Sequence, residues 1–230
     1  IVAITTDKCY ENIEKDYAYI ETDPLGGYDP YSSSKACAEH VVSAYYRSFF
    51  KDIEVGLATA RAGNVIGGGD WASDRLVPDM MRSWLKDNKV IIRYPEATRP
   101  WQHVLEPLCG YLKLAEKLWD NPLEFSSAWN FGPDQNSVKT VEDTIQVAAG
   151  LWGPMAKYEC KRSKSLHEAN LLQLDSTKAR TTLNWKPIFN FDETIKTTIN
   201  WYKNYYNGGN DFLDYTINQI IEYEGLMVDE

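Results

Sequence analysis

Tyr31 and Lys35 stand four residues apart, downstream of Thr6-Asp7-Lys8. If residues 30–50 are helical, positions four apart share one helix face and the two heads meet at one small site. A phenol and an ammonium titrate near about 10 and 10.4 in isolation, so neither alone is a good base at neutral pH. Placed together, the ammonium favours the phenolate and brings the phenol toward working pH. A threonine hydroxyl at the end of a preceding strand can hold a substrate hydroxyl against that phenolate. The set is suited to taking a proton from a carbinol while its hydride leaves for an acceptor. The spacing alone would also fit a plain surface pair on a helix, so its weight comes from the surrounding elements.

Those elements read as a crossover unit. Ile1 to Thr6 is an apolar, β-branched run of the kind found in a buried parallel strand. Asp29-Pro30 supplies an N-cap and a first-turn proline for a long helix through Phe50. Ile53 to Ala60 reads as the next strand. Strand, helix and strand with short joints make a right-handed unit of a doubly wound α/β sheet. No glycine-rich turn of the Gly-x-Gly-x-x-Gly type follows a strand here, and Gly67-Gly68-Gly69-Asp70 opens no convincing helix. The expectation is therefore the carboxy-terminal part of a longer protein.

Further along, helices are predicted over 75–88, 105–119, 140–151, 176–183, 191–206 and 212–223, and short strands over 90–93, 128–131 and 171–174. Thr140-x-x-Asp143 is a capping-box start. The chain has 230 residues, 43% of them hydrophobic, enough for a core in one domain or two small ones. A net charge of −9 argues against nucleic acid or an anionic membrane as the main partner. No apolar run is long enough to span a bilayer. Cys9, Cys37, Cys109 and Cys160 are widely spaced, which reads as reduced thiols in a cytoplasmic protein. His103 and His167 lack metal-ligand spacing, so no metal is expected.

Four segments in order carry a resemblance: Thr6-Asp7-Lys8-Cys9-Tyr10, Gly27-Tyr28-Asp29-Pro30-Tyr31 continuing through Lys35, Arg61-Ala62-Gly63-Asn64 continuing through Trp71, and Arg99-Pro100-Trp101-Gln102-His103-Val104. Together with Trp129-Asn130-Phe131-Gly132-Pro133 and His167-Glu168-Ala169, they resemble the extended short-chain dehydrogenase/reductases that act on nucleotide sugars, most closely the branch of 4,6-dehydratases that takes CDP-glucose. The resemblance covers nearly the whole chain. It implies a partial Rossmann-type doubly wound parallel sheet with a smaller C-terminal substrate-binding lobe. Residues 1–66, with a return near 104–132, would be the end of an NAD-binding domain, and 67–230 mainly the sugar-nucleotide lobe.

The implied chemistry is an internal redox cycle on NAD. Tyr31 takes the C4 hydroxyl proton, Lys35 holds the nicotinamide ribose, Thr6 assists, and Asp7 protonates the leaving C6 hydroxyl. Lys8 stands where related dehydratases carry the glutamate base for the C5 proton, and its role stays open. Arg61 and Ala62 join Tyr31 and Lys35 as expected cofactor contacts. Asn64, Arg75, Leu76, Arg93, Arg99 and His167 are the expected substrate contacts, the charged ones serving a diphosphate. The resemblance further implies deoxysugar and O-antigen biosynthesis and a homodimer or homotetramer through the apolar face of the Tyr31 helix. Two rival readings stay open: a nucleotide-sugar 4-epimerase, which needs Tyr31 and Lys35 but no elimination acid, and a non-catalytic scaffold of the same fold.

Overall fold

The computed structural model describes residues 1–161, 171–208 and 212–228. The chain opens with β1 (Val2–Ile4), makes a two-residue strand β2 (Ala18–Tyr19), enters α1 (Pro30–Tyr45) and returns as β3 (Ala58–Ala62). Helix α1 starts where the Asp-Pro pair predicts. The Asp29 carboxylate accepts from the Tyr31 and Ser32 amides at 2.9 and 3.0 Å, and Pro30 fills the first turn. The helix then widens into a π turn over Tyr46–Phe50 and a 3-10 turn over Lys51–Ile53.

The second strand begins five residues later than the apolar pattern predicts. Glu54 adopts a left-handed backbone (φ 55°) to reverse the chain, and Ile53 is 65% exposed. Residues 53–57 are spent on that reversal rather than on the sheet.

After β3 come β4 (Val65–Ile66), α2 (Leu76–Leu85), β5 (Val90–Ile92), β6 (Thr98–Pro100), β7 (Gln102–His103), α3 (Leu105–Asp120), the single turn α4 (Pro122–Phe125) and β8 (Ala128–Phe131). The remainder is β9 (Val138–Thr140), α5 (Val141–Trp152), β10 (Tyr158–Cys160), β11 (Gln173–Leu174), α6 (Thr177–Thr182), α7 (Phe191–Tyr206) and α8 (Phe212–Val228). The main sheet is parallel in the order β1-β3-β8, with Val2 opposite Ala58 and Ala62 opposite Phe131. The other strands pair two by two: β4–β7, β5–β10 and β2–β11 parallel, β6–β9 antiparallel. All of these are two or three residues long, too short for a period-2 signal, and the sequence reading misses all but two of them. Those two are β5 and β11, and β11 keeps only the last two residues of its predicted range.

All five residues of β3 are buried, as a strand covered on both faces must be. Alternation sorts them. Ala58, Ala60 and Ala62 pack in one cluster with Leu114 and Leu118 of α3, Trp129 and Phe131 of β8, and Ala179, Leu183 and Trp185. Thr59 and Arg61 point the other way, to Glu39 of α1. The sheet is therefore doubly wound, as expected. Residues 177–185 pack on this sheet.

A second core is separate. Met80, Met81 and Trp84 of α2, Val90 and Ile92 of β5, Ile145 of α5, and Ile195, Ile199 and Tyr202 of α7 form it. Its helices α5 and α7 each begin with a capping box, Thr140 with Asp143 and Asn190 with Glu193. Helix α8 is tied back by Tyr223, whose hydroxyl donates to the buried Glu106 carboxylate at 2.7 Å.

Gly110 lies inside α3, where alanine would ordinarily favour the helix by about 1 kcal/mol. Here a Cβ would sit 2.4 Å from two ring carbons of Phe131, and overpacking typically costs about 1–3 kcal/mol. Gly110→Ala is therefore expected to lower the thermal midpoint by roughly 2 °C or more. A more stable variant in a thermal melt would contradict the close contact of α3 with the sheet.

Candidate active site

The carboxyl ends of β1 and β3 open into a cleft of about 450 Å³, closed on the far side by the start of α2 and by β6. Ligands of open α/β sheets gather at such ends. Thr6 caps the 3-10 turn Asp7–Cys9: its oxygen accepts from the Lys8 amide at 3.3 Å and its hydroxyl donates to Asp7 Oδ1 at 2.9 Å. The expectation that Thr6 holds a substrate hydroxyl is thus modified, because its proton is committed to Asp7.

Asp7 is 2% exposed, and its other oxygen, Oδ2, has no hydrogen-bond partner. A Cβ at position 63 would fall 1.8 Å from that oxygen, so Gly63 is required for the carboxyl to fit. Burial pushes the Asp7 carboxyl above the usual range, against the opposing pull of the Thr6 hydrogen bond and the Lys8 and Arg99 charges. Burial thus favours the protonated form of this carboxyl, and one of its oxygens is unengaged.

Tyr31 stands at the mouth, 53% exposed, with the Lys35 ammonium 5.7 Å from its ring centroid. Lys8 and Tyr31 line this cleft and also a neighbouring one of about 550 Å³ on the side of Tyr10 and Tyr28. Asn64 lines the cleft in a left-handed conformation (φ 47°), which asparagine tolerates better than most residues. Arg75 and Leu76 line its α2 side, and Arg75 pairs with Asp70 at 3.0 Å. Arg99 is buried at the same cleft and donates to the Thr98 carbonyl at 2.7 Å. Ala62 is also at the lining.

The structure gathers Thr6, Asp7, Lys8, Tyr31, Ala62, Asn64, Arg75, Leu76 and Arg99 at this cleft, with Lys35 beside Tyr31. Two expected residues do not arrive. Arg61 turns inward on the opposite strand face, where its guanidinium meets Glu39 at 2.7 Å, the Tyr10 hydroxyl at 2.8 Å and the Glu21 carbonyl at 3.1 Å. The expectation of a cofactor contact is corrected, since period-2 alternation sends residue 61 away from the side that residue 62 occupies. Arg93 is exposed just beyond β5 and lies outside the cleft lining. His167 lies outside the described residues.

Residues not singled out beforehand also shape the site. Gln102 is 1% exposed and its amide donates to the Gly63 and Phe131 carbonyls at 3.2 and 2.9 Å, which fixes the Gly63–Asn64 corner. Its place inside the Arg-Pro-Trp-Gln-His-Val segment was the available signal. Trp101, 4% exposed, lines the cleft beside Arg99.

Residues 1–198 match the family described as GDP-mannose 4,6 dehydratase. The chain belongs to that family. A relative from Salmonella typhimurium, CDP-glucose 4,6-dehydratase, is 47% identical over 228 residues, covering 97% of this chain and 63% of its own length. A probable dTDP-glucose 4,6-dehydratase of Sinorhizobium fredii is 24% identical, covering 86% of this chain and 56% of its own length. The chain thus spans less than two thirds of the relatives it matches. Among solved structures, dTDP-glucose 4,6-dehydratase from Bacillus anthracis in complex with NAD superimposes with a TM-score of 0.71 at 21% identity, covering 88% of this chain and 61% of that one. UDP-glucuronic acid 4-epimerase from Bacillus cereus, in complex with UDP-glucuronic acid and NAD, gives 0.75 at 20% identity, with 89% and 62% covered. At these identities the likeness is one of fold, shared by dehydratases and epimerases alike.

The Asp7 environment has a measurable sign. Its folded-state value is raised, so the stability this group contributes is full below about pH 3.9 and declines as pH rises through the folded value. Asparagine does not titrate. The thermal midpoint of Asp7→Asn relative to wild type should therefore rise between about pH 4 and pH 7. A difference that does not change with pH would mean that the carboxyl is solvated, not buried.

Proposed function

We propose that the protein carrying these residues is a nucleotide-sugar 4,6-dehydratase that converts CDP-glucose to CDP-4-keto-6-deoxyglucose with tightly held NAD. The observation that carries this reading is the placement of Asp7, buried with an unengaged oxygen, at the same cleft as the exposed Tyr31. A 4-epimerase has no use for that acid, and the 47% identity to a CDP-glucose 4,6-dehydratase supports the same choice.

The residues present fit the nicotinamide end of NAD. A ribose diol takes hydrogen bonds from an ammonium and a phenol, and Lys35 and Tyr31 present both at the sheet's carboxyl edge. Bound NAD would supply the hydride acceptor at C4 and the hydride donor at C6. Tyr31 accepts the C4 hydroxyl proton as the hydride departs, which leaves a ketone that acidifies the C5 hydrogen. The C5 proton leaves through water at the rim, where Lys8 is exposed, and a proton returns to C5 as hydride adds at C6. Asp7 gives its proton to the C6 hydroxyl, which leaves as water. Thr6, by donating to Oδ1, leaves the proton of Asp7 to Oδ2, the oxygen without a partner. Asn64, Arg75 and Arg99 hold the sugar nucleotide, with the arginines on its diphosphate and Leu76 against the base. Two guanidinium groups at the cleft give a local attraction for the diphosphate, against the chain's net charge of −9.

The reading extends to a homodimer or homotetramer through α1 and the π turn that follows it, where Val41, Tyr45 and Phe49 are each more than half exposed. It extends also to a cytoplasmic location. All four cysteines are unpaired, and no helix among the described residues is long and apolar enough to cross a membrane.

Incubation with CDP-glucose and NAD tests the reading through the product. A 4-keto-6-deoxy sugar nucleotide is expected; an inverted C4 would mean an epimerase, and no reaction a scaffold. Tyr31→Phe should lose about 10²–10⁴-fold in turnover, and activity within about twofold of wild type would remove Tyr31 from its role. Asp7→Asn should still develop NADH absorbance on addition of substrate yet release little 4-keto-6-deoxy product. Equal loss of both signals would deny Asp7 a separate part.

A further inference from the structure

Tyr31, Lys35 and Glu39 are spaced four apart, so all three fall along one stripe of α1. Exposure falls along that stripe, from 53% at Tyr31 to 4% at Glu39. Glu39 is thus the buried foot of the helix whose exposed head bears the phenol. Its carboxylate accepts from the Thr5 hydroxyl, from the Thr59 hydroxyl at 2.8 Å and from the Arg61 guanidinium at 2.7 Å. Among the described residues, every side-chain hydrogen bond from α1 to the sheet strands and their ends is made by this carboxylate. The Asp29 cap and the Ser33 hydroxyl tie the helix only to its own preceding turn.

Each partner of Glu39 adjoins a piece of the cleft. Thr5 precedes Thr6 and Asp7, and Arg61 precedes Ala62, Gly63 and Asn64. Arg61 carries the tie onward through the Tyr10 hydroxyl, which donates to Asn130 on β8 at 2.7 Å. Despite burial, which would raise it, the Glu39 carboxyl is held below the ordinary range by Arg61 and the two threonines, so the ion pair is charged. A buried ion pair is a poor means of gaining stability, since well-packed apolar residues serve as well or better. Geometry is what it can fix.

We infer that Glu39 is a positioning residue, which sets where Tyr31 and Lys35 stand relative to Asp7; this rests on the dehydratase reading of the cleft. Eight residues separate Glu39 from Tyr31, a lever of about 12 Å along the helix axis. A tilt of roughly 5° about Glu39 displaces the phenol by about 1 Å, and a 1 Å misplacement can cost about 10²-fold in rate.

Steady-state kinetics on CDP-glucose with Glu39→Gln, Thr59→Val and the control Glu106→Gln test this. Glu106 is fully buried and accepts from the Ile188 and Phe189 amides and Tyr223, away from the cleft. Glu39→Gln should lower kcat about 10²-fold with KM within about 3-fold, and Thr59→Val, which keeps the ion pair, should lower kcat by a smaller factor in the same direction. The control should lower the thermal midpoint while the folded fraction keeps kcat within about 3-fold. If Glu39→Gln does not fold, Thr59→Val decides. Unchanged kcat in folded variants, KM rising in step with the loss, or an equal loss in the control would overturn the inference. A wild type that does not process CDP-glucose would refute the dehydratase reading instead. Crystal structures of wild type and Thr59→Val would then decide on positioning: a displaced Tyr31 relative to Asp7 supports it, and superimposable side chains overturn it.

Discussion

The burial of β3 on both faces is the constraint from which the rest follows. Its two sides must meet different neighbours, and the pattern Ala-Thr-Ala-Arg-Ala meets both. Three alanines present a flat surface to α3, whose Gly110 is needed because Phe131 fills the space where a side chain would stand. On the other face a threonine and an arginine cannot be left without partners, because an unpaired buried charge costs several kcal/mol. Glu39 and Tyr10 answer that requirement. The strand then ends in Gly63 and Asn64, where the backbone turns and the cleft begins. Packing on one side and polar satisfaction on the other are thus the conditions under which the site can be held at the strand ends.

Within the cleft the decisive physics is unequal solvation. Asp7 and Tyr31 lie on adjoining elements but in opposite environments. Asp7 sits where water does not reach one oxygen, and Tyr31 sits at the mouth. Burial raises the Asp7 carboxyl, while the Tyr31 phenol meets solvent beside the Lys35 ammonium. The acid is kept in place by short-range contacts, Thr6 and the bare Cα of Gly63, while Arg99 and Lys8 moderate the cost of its ionised form.

Much of this was legible in the sequence, for identifiable reasons. The α1 start follows from Asp29-Pro30 and the α5 start from Thr140 and Asp143, because local chemistry decides both. The late start of β3 was not legible, since Ile53 and Val55 look like strand residues and only the need to reverse the chain at Glu54 excludes them. The short two-stranded pairings depend on distant partners, as Gln173 with Ala18, and leave almost no local trace. Most of the candidate site was visible as motifs. Arg61 was misplaced because a motif gives position along the strand but not which face the side chain takes. That face is set by the register of β3 against β1 and β8, which tertiary pairing decides.

The far wall of the cleft shows the same dependence on distant residues. Gly67-Gly68-Gly69-Asp70-Trp71 opens no convincing helix in sequence. In the fold it is wedged: a Cβ at Gly68 would lie 2.1 Å from the Trp201 indole, and Gly69 takes a left-handed φ of 80°. Trp71 is set among Trp201, Tyr202, Tyr205 and Tyr206 of α7, with ring centroids 5.0 to 6.5 Å apart. The Tyr202 hydroxyl donates to the Asp70 carbonyl at 2.7 Å, and Arg82 donates to the Trp71 and Ala72 carbonyls. The glycines therefore serve close approach to an aromatic wall. The consequence reaches the site, because Asp70 is the partner of Arg75 at the cleft. Helix α7, more than a hundred residues further along the chain, in this way sets the position of a guanidinium facing the same space as Asp7.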